Sequence, residues 1–147
     1  MIGEVLQGKY KIEKKIGEGG FAHVYRGFHK SLERTVAIKV LNDLGDESMF
    51  KERFLREAVS MGRLSHPNIA TVFDCGEHDS QPSMVMEYIN GPTLLELVSS
   101  TTIPLNQVCN IGRQVCQGMS YAHKHGVVHR DLTLRNIMVK ESDEVVK

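Results

Sequence analysis

The chain has 147 residues with 18 basic and 18 acidic side chains, a formal charge of zero that provides no electrostatic footprint for nucleic acid. A hydrophobic fraction of 41% suits a globular domain with a sizeable core rather than a disordered tail. No apolar window of about 18 residues exists to span a membrane, and Met1–Leu6 lacks the basic-then-apolar pattern of a secretory leader.

Gly3 stands one place too late for N-myristoylation. The cysteines, Cys75, Cys109 and Cys116, have no metal-ligand spacing and are odd in number. They read as reduced thiols, which makes the cytoplasm the expected compartment.

In chain order, Tyr10–Glu18 alternates Ile12, Lys14 and Ile16 against lysine and glutamate and reads as a strand, although lysines fall on both faces. Val24–Phe28 and Arg34–Leu41 read as the next two strands of an antiparallel meander. Asp46–Leu64 has helical spacing, with Phe50, Phe54, Ala58 and Met61 on one face, and Ser65-His66-Pro67 stops it. Ile69–Cys75 and Met84–Tyr88 read as two more strands, joined by a polar turn through His78–Pro82. Asn90-Gly91-Pro92 breaks the pattern and is the expected hinge. Thr93 and Glu96 form a capping box. Leu105, Val108, Ile111, Val115, Met119 and Ala122 make a long helical stripe, closed by Gly126 as a left-handed cap. Ile137–Val139 and Val145–Val146 suggest a short hairpin.

Three segments carry potential chemistry. Gly17-Glu18-Gly19-Gly20-Phe21-Ala22-His23-Val24 lies between two strands, where glycines let backbone amides approach phosphates; alone it could be an ordinary hairpin. Lys39 ends the apolar run Val36-Ala37-Ile38; a lone lysine is usually a solvated charge. The third segment is His129-Arg130-Asp131-Leu132-Thr133-Leu134-Arg135-Asn136. The group His123, His125 and His129 is better explained by a solvated helix end than by a metal site.

In this order the segments resemble the glycine loop, the Val-Ala-Ile-Lys strand and the His-Arg-Asp-x-x-x-x-Asn loop of Hanks-type protein kinases. Gly-Gly-Phe-Ala-x-Val-Tyr and Met86-Glu87-Tyr88-Ile89-Asn90-Gly91 resemble the bacterial serine/threonine branch most, and the likeness runs from about Gly8 to Lys147. It implies an α+β, protein-kinase-like fold. A five-stranded antiparallel N-lobe sheet with helix C would occupy residues 1–89, and a partial, mainly helical C-lobe residues 90–147.

The resemblance also implies roles. The loop Gly17, Glu18, Gly19, Gly20, Phe21, Ala22 and His23 would cover the phosphates of ATP, and Ile16 and Val24 would lie over the adenine. Lys39 would contact the α- and β-phosphates and pair with Glu57; Glu52 competes for that pairing, but the Arg-Glu-Ala context favours Glu57. Met86 would be the gatekeeper, the Glu87 carbonyl and Ile89 amide would bond adenine, and Ala37 and Met138 would complete its pocket. A plain buried strand end explains Met86–Ile89 equally well from sequence. Asp131 would orient or deprotonate the hydroxyl of a protein Ser or Thr, Asn136 would bind Mg2+, and Arg130 would meet a phosphorylated activation loop.

Three positions depart from the pattern. Ala22 replaces the third glycine and is expected to restrict the loop tip. Thr133 replaces a lysine that neutralises the transferred phosphate, and Arg135 resembles the tyrosine-kinase loop, which leaves hydroxyl preference open. Antibiotic kinases usually carry glycine in place of Arg130. The sequence ends at Lys147, before any Asp-Phe-Gly, so an incomplete catalytic domain is the expectation. The alternatives are a catalytically dead nucleotide- or partner-binding pseudokinase fragment and a decayed product with no stable fold. The stripe of the Leu105–Ala122 helix is expected to lose partners and to favour association.

Overall fold

A computed structural model describes residues 1–42 and 48–147. The chain divides into two compact units, residues 1–63 with 71–88, and residues 64–70 with 89–147.

The first unit is built on one antiparallel sheet of order β1-β2-β3-β4-β6-β5. Its strands are β1 (Val5–Leu6), β2 (Tyr10–Glu18), β3 (Ala22–His29), β4 (Arg34–Leu41), β5 (Val72–His78) and β6 (Gln81–Glu87). The sheet has six strands where five were expected: β1 has only two residues, too few to show a period of two in sequence. β5 begins three residues later than expected and β6 three earlier. Their link is a tight turn in which Asp79 and Ser80 both take positive φ, as a two-residue type I′ hairpin demands.

Lysines fall on both faces of β2 because its register slips twice against β3. Lys15 and Gly17 pair with the adjacent residues Tyr25 and Val24, which leaves Ile16 as an extra, bulged residue.

Alternation divides β4 between two cores. Val36, Ile38 and Val40 pack with Leu6, Tyr10, Ile12, Tyr25 and Val85 on one face. Leu41 packs with Met84 against Phe54 and Ala58 on the other. Phe54 and Ala58 belong to α1 (Ser48–Gly62), the helix expected over Asp46–Leu64. The expected first residues, Asp46 and Glu47, lie outside the described residues.

The second unit holds α2 (Leu94–Ser100), α3 (Leu105–Lys124) and a 3-10 turn at Leu134–Asn136. The capping box is formed: the Thr93 hydroxyl accepts from the Glu96 amide, and the Glu96 carboxylate accepts from the Thr93 amide at 2.8 Å. The Thr93 amide and, at 2.9 Å, its hydroxyl both donate to the Glu96 carboxylate and hold it below its usual pKa. Gly126 has φ +75° and follows α3 as expected, with the Val127 amide reaching back to the Ala122 carbonyl.

The face that α3 buries is not the whole stripe. Ile111, Gln114, Gly118 and Ala122 are buried, whereas Leu105 and Val108 are exposed. Gln114 is polar and makes three bonds. Its Oε1 accepts from Asn68 at 2.9 Å and from the Val146 amide at 2.9 Å, and its Nε2 donates to the Glu144 carbonyl. A Cβ at Gly118 would lie 2.7 Å from the Asn68 carbonyl oxygen, so glycine is required for this approach.

The expected hairpin closes through a Val139–Val146 bridge. Residues 137–141 also pair with 90–94: Leu94 donates to Ile137, Val139 to Pro92 and Glu141 to Asn90. Asn90-Gly91-Pro92, the expected hinge, is therefore a pinned segment inside the second unit.

Candidate functional site

In the first unit, strand pairing gathers the residues singled out by sequence. Val24 faces Lys39, Lys39 faces Met84 and Ala37 faces Met86 across the ladders, so these side chains share one sheet face. It is the face on which α1 packs. Glu57 and Ala58 lie three and four residues beyond Phe54, so the helix that buries Phe54 and Ala58 brings Glu57 to the same side. Lys39 Nζ lies 3.7 Å from Glu57 Oε1 and 5.7 Å from the centre of the Phe54 ring. Glu52, the competing acid, is paired with Arg56 at 2.6 Å.

The magnitude of this pair is informative. Glu57 is 54% exposed and Lys39 33%, and ion pairs of such exposure contribute about 0–1 kcal/mol. Fold stability gives little reason for a half-buried lysine inside an apolar strand run.

Nor does packing within the protein explain the glycines of the loop. A Cβ at Gly20 would meet nothing within 4 Å, and one at Gly19 only the Ala22 carbonyl at 3.4 Å. Neither residue has positive φ. The backbone of Gly20 is therefore open to its surroundings. Ala22 opens β3, pairs with Leu41 and is buried, so its methyl group is accommodated in strand geometry.

His23 is adjacent to Val24 in the strand and therefore points to the opposite face from Lys39, with Nδ1 4.0 Å from a Glu18 carboxylate oxygen. Lys15, 3.0 Å away, holds the Glu18 carboxyl below its usual range. Ile16 is exposed, and Phe21 stacks on Phe50 of α1 with ring centres 5.6 Å apart. Glu87 exchanges contacts with Thr71: its amide donates to the Thr71 carbonyl, and its carboxylate accepts from the Thr71 amide.

In the second unit, Asp131 and Asn136 are brought together. Asn136 Nδ2 donates to the Asp131 carbonyl at 2.9 Å and to its carboxylate at 3.2 Å. The Asp131 amide donates to His129 Nδ1 at 3.3 Å, so His129 shapes the loop. Arg130 has φ +66°. Gln7, Glu33, Asp79, Ser80 and Glu144 take positive φ at hairpin tips, but Arg130 does so beside Asp131, at a cost of about 1–2 kcal/mol. The His125 ring lies against Tyr121, with ring centres 4.2 Å apart. Met138 is half-buried and bridges Thr93, and Ile89 is buried.

Sequence reasoning missed Asn42, Asn68 and Gln114. Each is a lone amide, and only the partner it reaches gives it meaning. Asn42 Nδ2 donates to the carbonyls of Gly19 and Gly20 at 3.3 and 3.2 Å.

Residues 10–147 match the model of the protein kinase domain. The chain is 39% identical over 149 residues to a probable serine/threonine-protein kinase of Clostridium acetobutylicum. It is 40% identical over 142 residues to the serine/threonine-protein kinase PrkC of Bacillus subtilis. These alignments cover 100% and 95% of this chain but 22% of each relative, so the chain spans about a fifth of the length of the curated relatives it matches. Among solved structures it is similar to the kinase domain of Mycobacterium tuberculosis PknI, with a TM-score of 0.84 and 29% identity, covering 99% of this chain and 60% of that one. The paired Lys39 and Glu57, the loop joining Asp131 to Asn136 and the family match over nearly the whole length agree: the chain belongs to the protein kinase family.

Proposed function

We propose that this chain contributes to an ATP-dependent protein serine/threonine kinase, with residues 1–89 holding nucleotide and 90–147 beginning the catalytic lobe. The observation that carries the reading is the Lys39–Glu57 pair on the sheet face shared with Val24, Ala37 and Met86. Glu57 holds the ammonium of Lys39 for the α- and β-phosphates. Ile16, Val24, Ala37 and Met86 lie against the adenine, and the Glu87 carbonyl bonds its edge.

Asp131 orients the substrate hydroxyl, whose oxygen attacks the γ-phosphorus in line. The bond to the β-phosphate oxygen breaks, ADP leaves, and the hydroxyl proton passes to the Asp131 carboxylate. Asn136 fits a magnesium ion, because its amide nitrogen is committed to Asp131 and its Oδ1 is the hard oxygen donor such an ion takes. When bound, magnesium neutralises phosphate charge. The names of the relatives support Ser/Thr rather than Tyr as acceptor.

No described helix is long and apolar enough to cross a membrane. Three exposed free thiols support a reducing compartment, so we place the domain in the cytoplasm.

The test is Lys39→Met in the intact protein, measured by transfer of labelled phosphate from ATP to a generic Ser/Thr protein substrate. A fall of about 100-fold or more is expected from loss of one charged transition-state contact. Unchanged ATP affinity and transfer would refute the assignment.

A further inference from the structure

We infer that Asn42 is a positioning residue for the glycine loop: it grips the Gly19 and Gly20 carbonyls and so aims the Gly20 and Phe21 amides at a nucleotide's phosphates. This rests on the nucleotide reading above and adds to it a residue outside the motif.

Asn42 follows β4 directly and is half-buried. Its own amide donates to the Phe21 carbonyl at 2.9 Å, extending the ladder in which Leu41 pairs with Ala22. Its side chain goes further. Nδ2 carries two hydrogens, enough for the two carbonyls it serves, those of Gly19 and Gly20 at 3.3 and 3.2 Å. Both residues lie beyond the end of β2 and before β3, so the side chain holds backbone that no strand holds.

Peptide planarity gives this grip a direction. The Gly19 carbonyl shares a plane with the Gly20 N–H, and the Gly20 carbonyl with the Phe21 N–H; in a trans peptide the two groups point opposite ways. Drawing both carbonyls toward Asn42 turns both N–H groups away from it. Among the described residues no backbone carbonyl takes either amide, whereas the Gly19 amide is spent on the Ala22 carbonyl at 2.9 Å. Two successive outward N–H groups form the kind of concavity that binds phosphate oxygens. The Phe21 ring, stacked on Phe50, anchors the tip from the α1 side. A plain strand-end cap would need only the backbone bond from Asn42 to Phe21, and that bond survives replacement of the side chain by leucine.

The test uses the intact protein and Asn42→Leu, which keeps the side-chain size and removes both donors without adding charge. Affinities for ATP and for adenosine are measured by calorimetry, and amide exchange at Gly19 is followed without nucleotide. The expected result is a roughly tenfold weaker ATP affinity with adenosine unchanged, and Gly19 exchange faster by a similar factor. Equal weakening for ATP and adenosine would mean a merely structural role and would overturn the inference, as would no change in either. If the unsubstituted protein binds neither ligand, the nucleotide reading fails; the grip itself then stands on faster Gly19 exchange in the variant and falls on unchanged exchange.

Discussion

Replacing Gly91 by alanine tests whether the segment 90–94 is pinned. A Cβ at position 91 would sit 1.9 Å from the Val139 carbonyl oxygen and 2.9 Å from its carbon, where ordinary contact begins at 3.4 Å. The two segments must separate by about 1.5 Å to accept it. The flanking bonds, Val139 to Pro92 at 3.0 Å and Glu141 to Asn90 at 2.9 Å, would then exceed 4 Å and cease to be hydrogen bonds. Two such losses cost about 2 kcal/mol. Loosening the cluster of Leu94, Ile111, Ile137, Val139 and Val146 adds about 1–2 kcal/mol. The sum, about 3–4 kcal/mol, is a large share of a typical stability of about 5–15 kcal/mol. The chain has no tryptophan, so far-UV circular dichroism through a urea titration is the suitable global probe, with amide exchange at Val139 and Glu141 as the local one. The control is Gly112→Ala, in the middle of α3 with nothing within 4 Å of a Cβ, which should stabilise by up to about 1 kcal/mol. A Gly91→Ala protein with unshifted midpoint and protected Val139 and Glu141 amides would refute the pinned-segment reading.

Thr133 is exposed and makes no side-chain cap bond at the head of the 3-10 turn, so Thr133→Lys should fold normally and raise the rate of phosphate transfer several-fold; an unchanged or lower rate counts against a charge deficit there. Burial pushes the Tyr10 hydroxyl up to about 12 from 10.0, helped by its 3.1 Å bond to Asp74. Because the raised pKa belongs to the folded state, its stabilisation is complete below pH 10 and lost as pH rises toward 12; Tyr10→Phe should flatten that limb of a stability–pH curve. Glu96 has the opposite sign. Its lowered pKa gives stability that is present above pH 4.5 and lost as pH falls through the folded value, and Glu96→Ala should abolish that acid dependence of α2 helicity. Thr93→Ala should cost about 1 kcal/mol at neutral pH, read from the same titrations.

The fold was legible wherever local pattern and local structure coincide. β4 runs from Arg34 to Leu41 as its apolar run Val36-Ala37-Ile38 predicts, and the capping box starts α2 after Thr93 because both halves of that motif lie within four residues. Legibility failed where geometry depends on a neighbour. β1 has meaning only through its pairing with Tyr10 and Lys11, and β5 is displaced because the Asp79-Ser80 turn sets its register. Gly91 shows the same limit: a glycine before proline reads as a flexible joint, but here it is the one residue small enough for the Val139 carbonyl.

The candidate site divides along the same line. Asp131 and Asn136 sit five residues apart, and one turn of chain brings their side chains within 3.2 Å, so a linear motif captures them. Lys39 and Glu57 meet only because β4 alternates and α1 repeats every three to four residues; the sequence left Glu52 as a rival until the Arg56 contact removed it. Asn42 had no sequence signal, since an asparagine after a strand reads as a turn residue. Its two bonds cross 22 and 23 residues to a loop whose glycines need no support from their own packing. The least legible side chain is therefore the one that sets the direction of a motif the sequence did display, because a glycine-rich backbone gains freedom to approach a ligand at the expense of any preference for where its amides point.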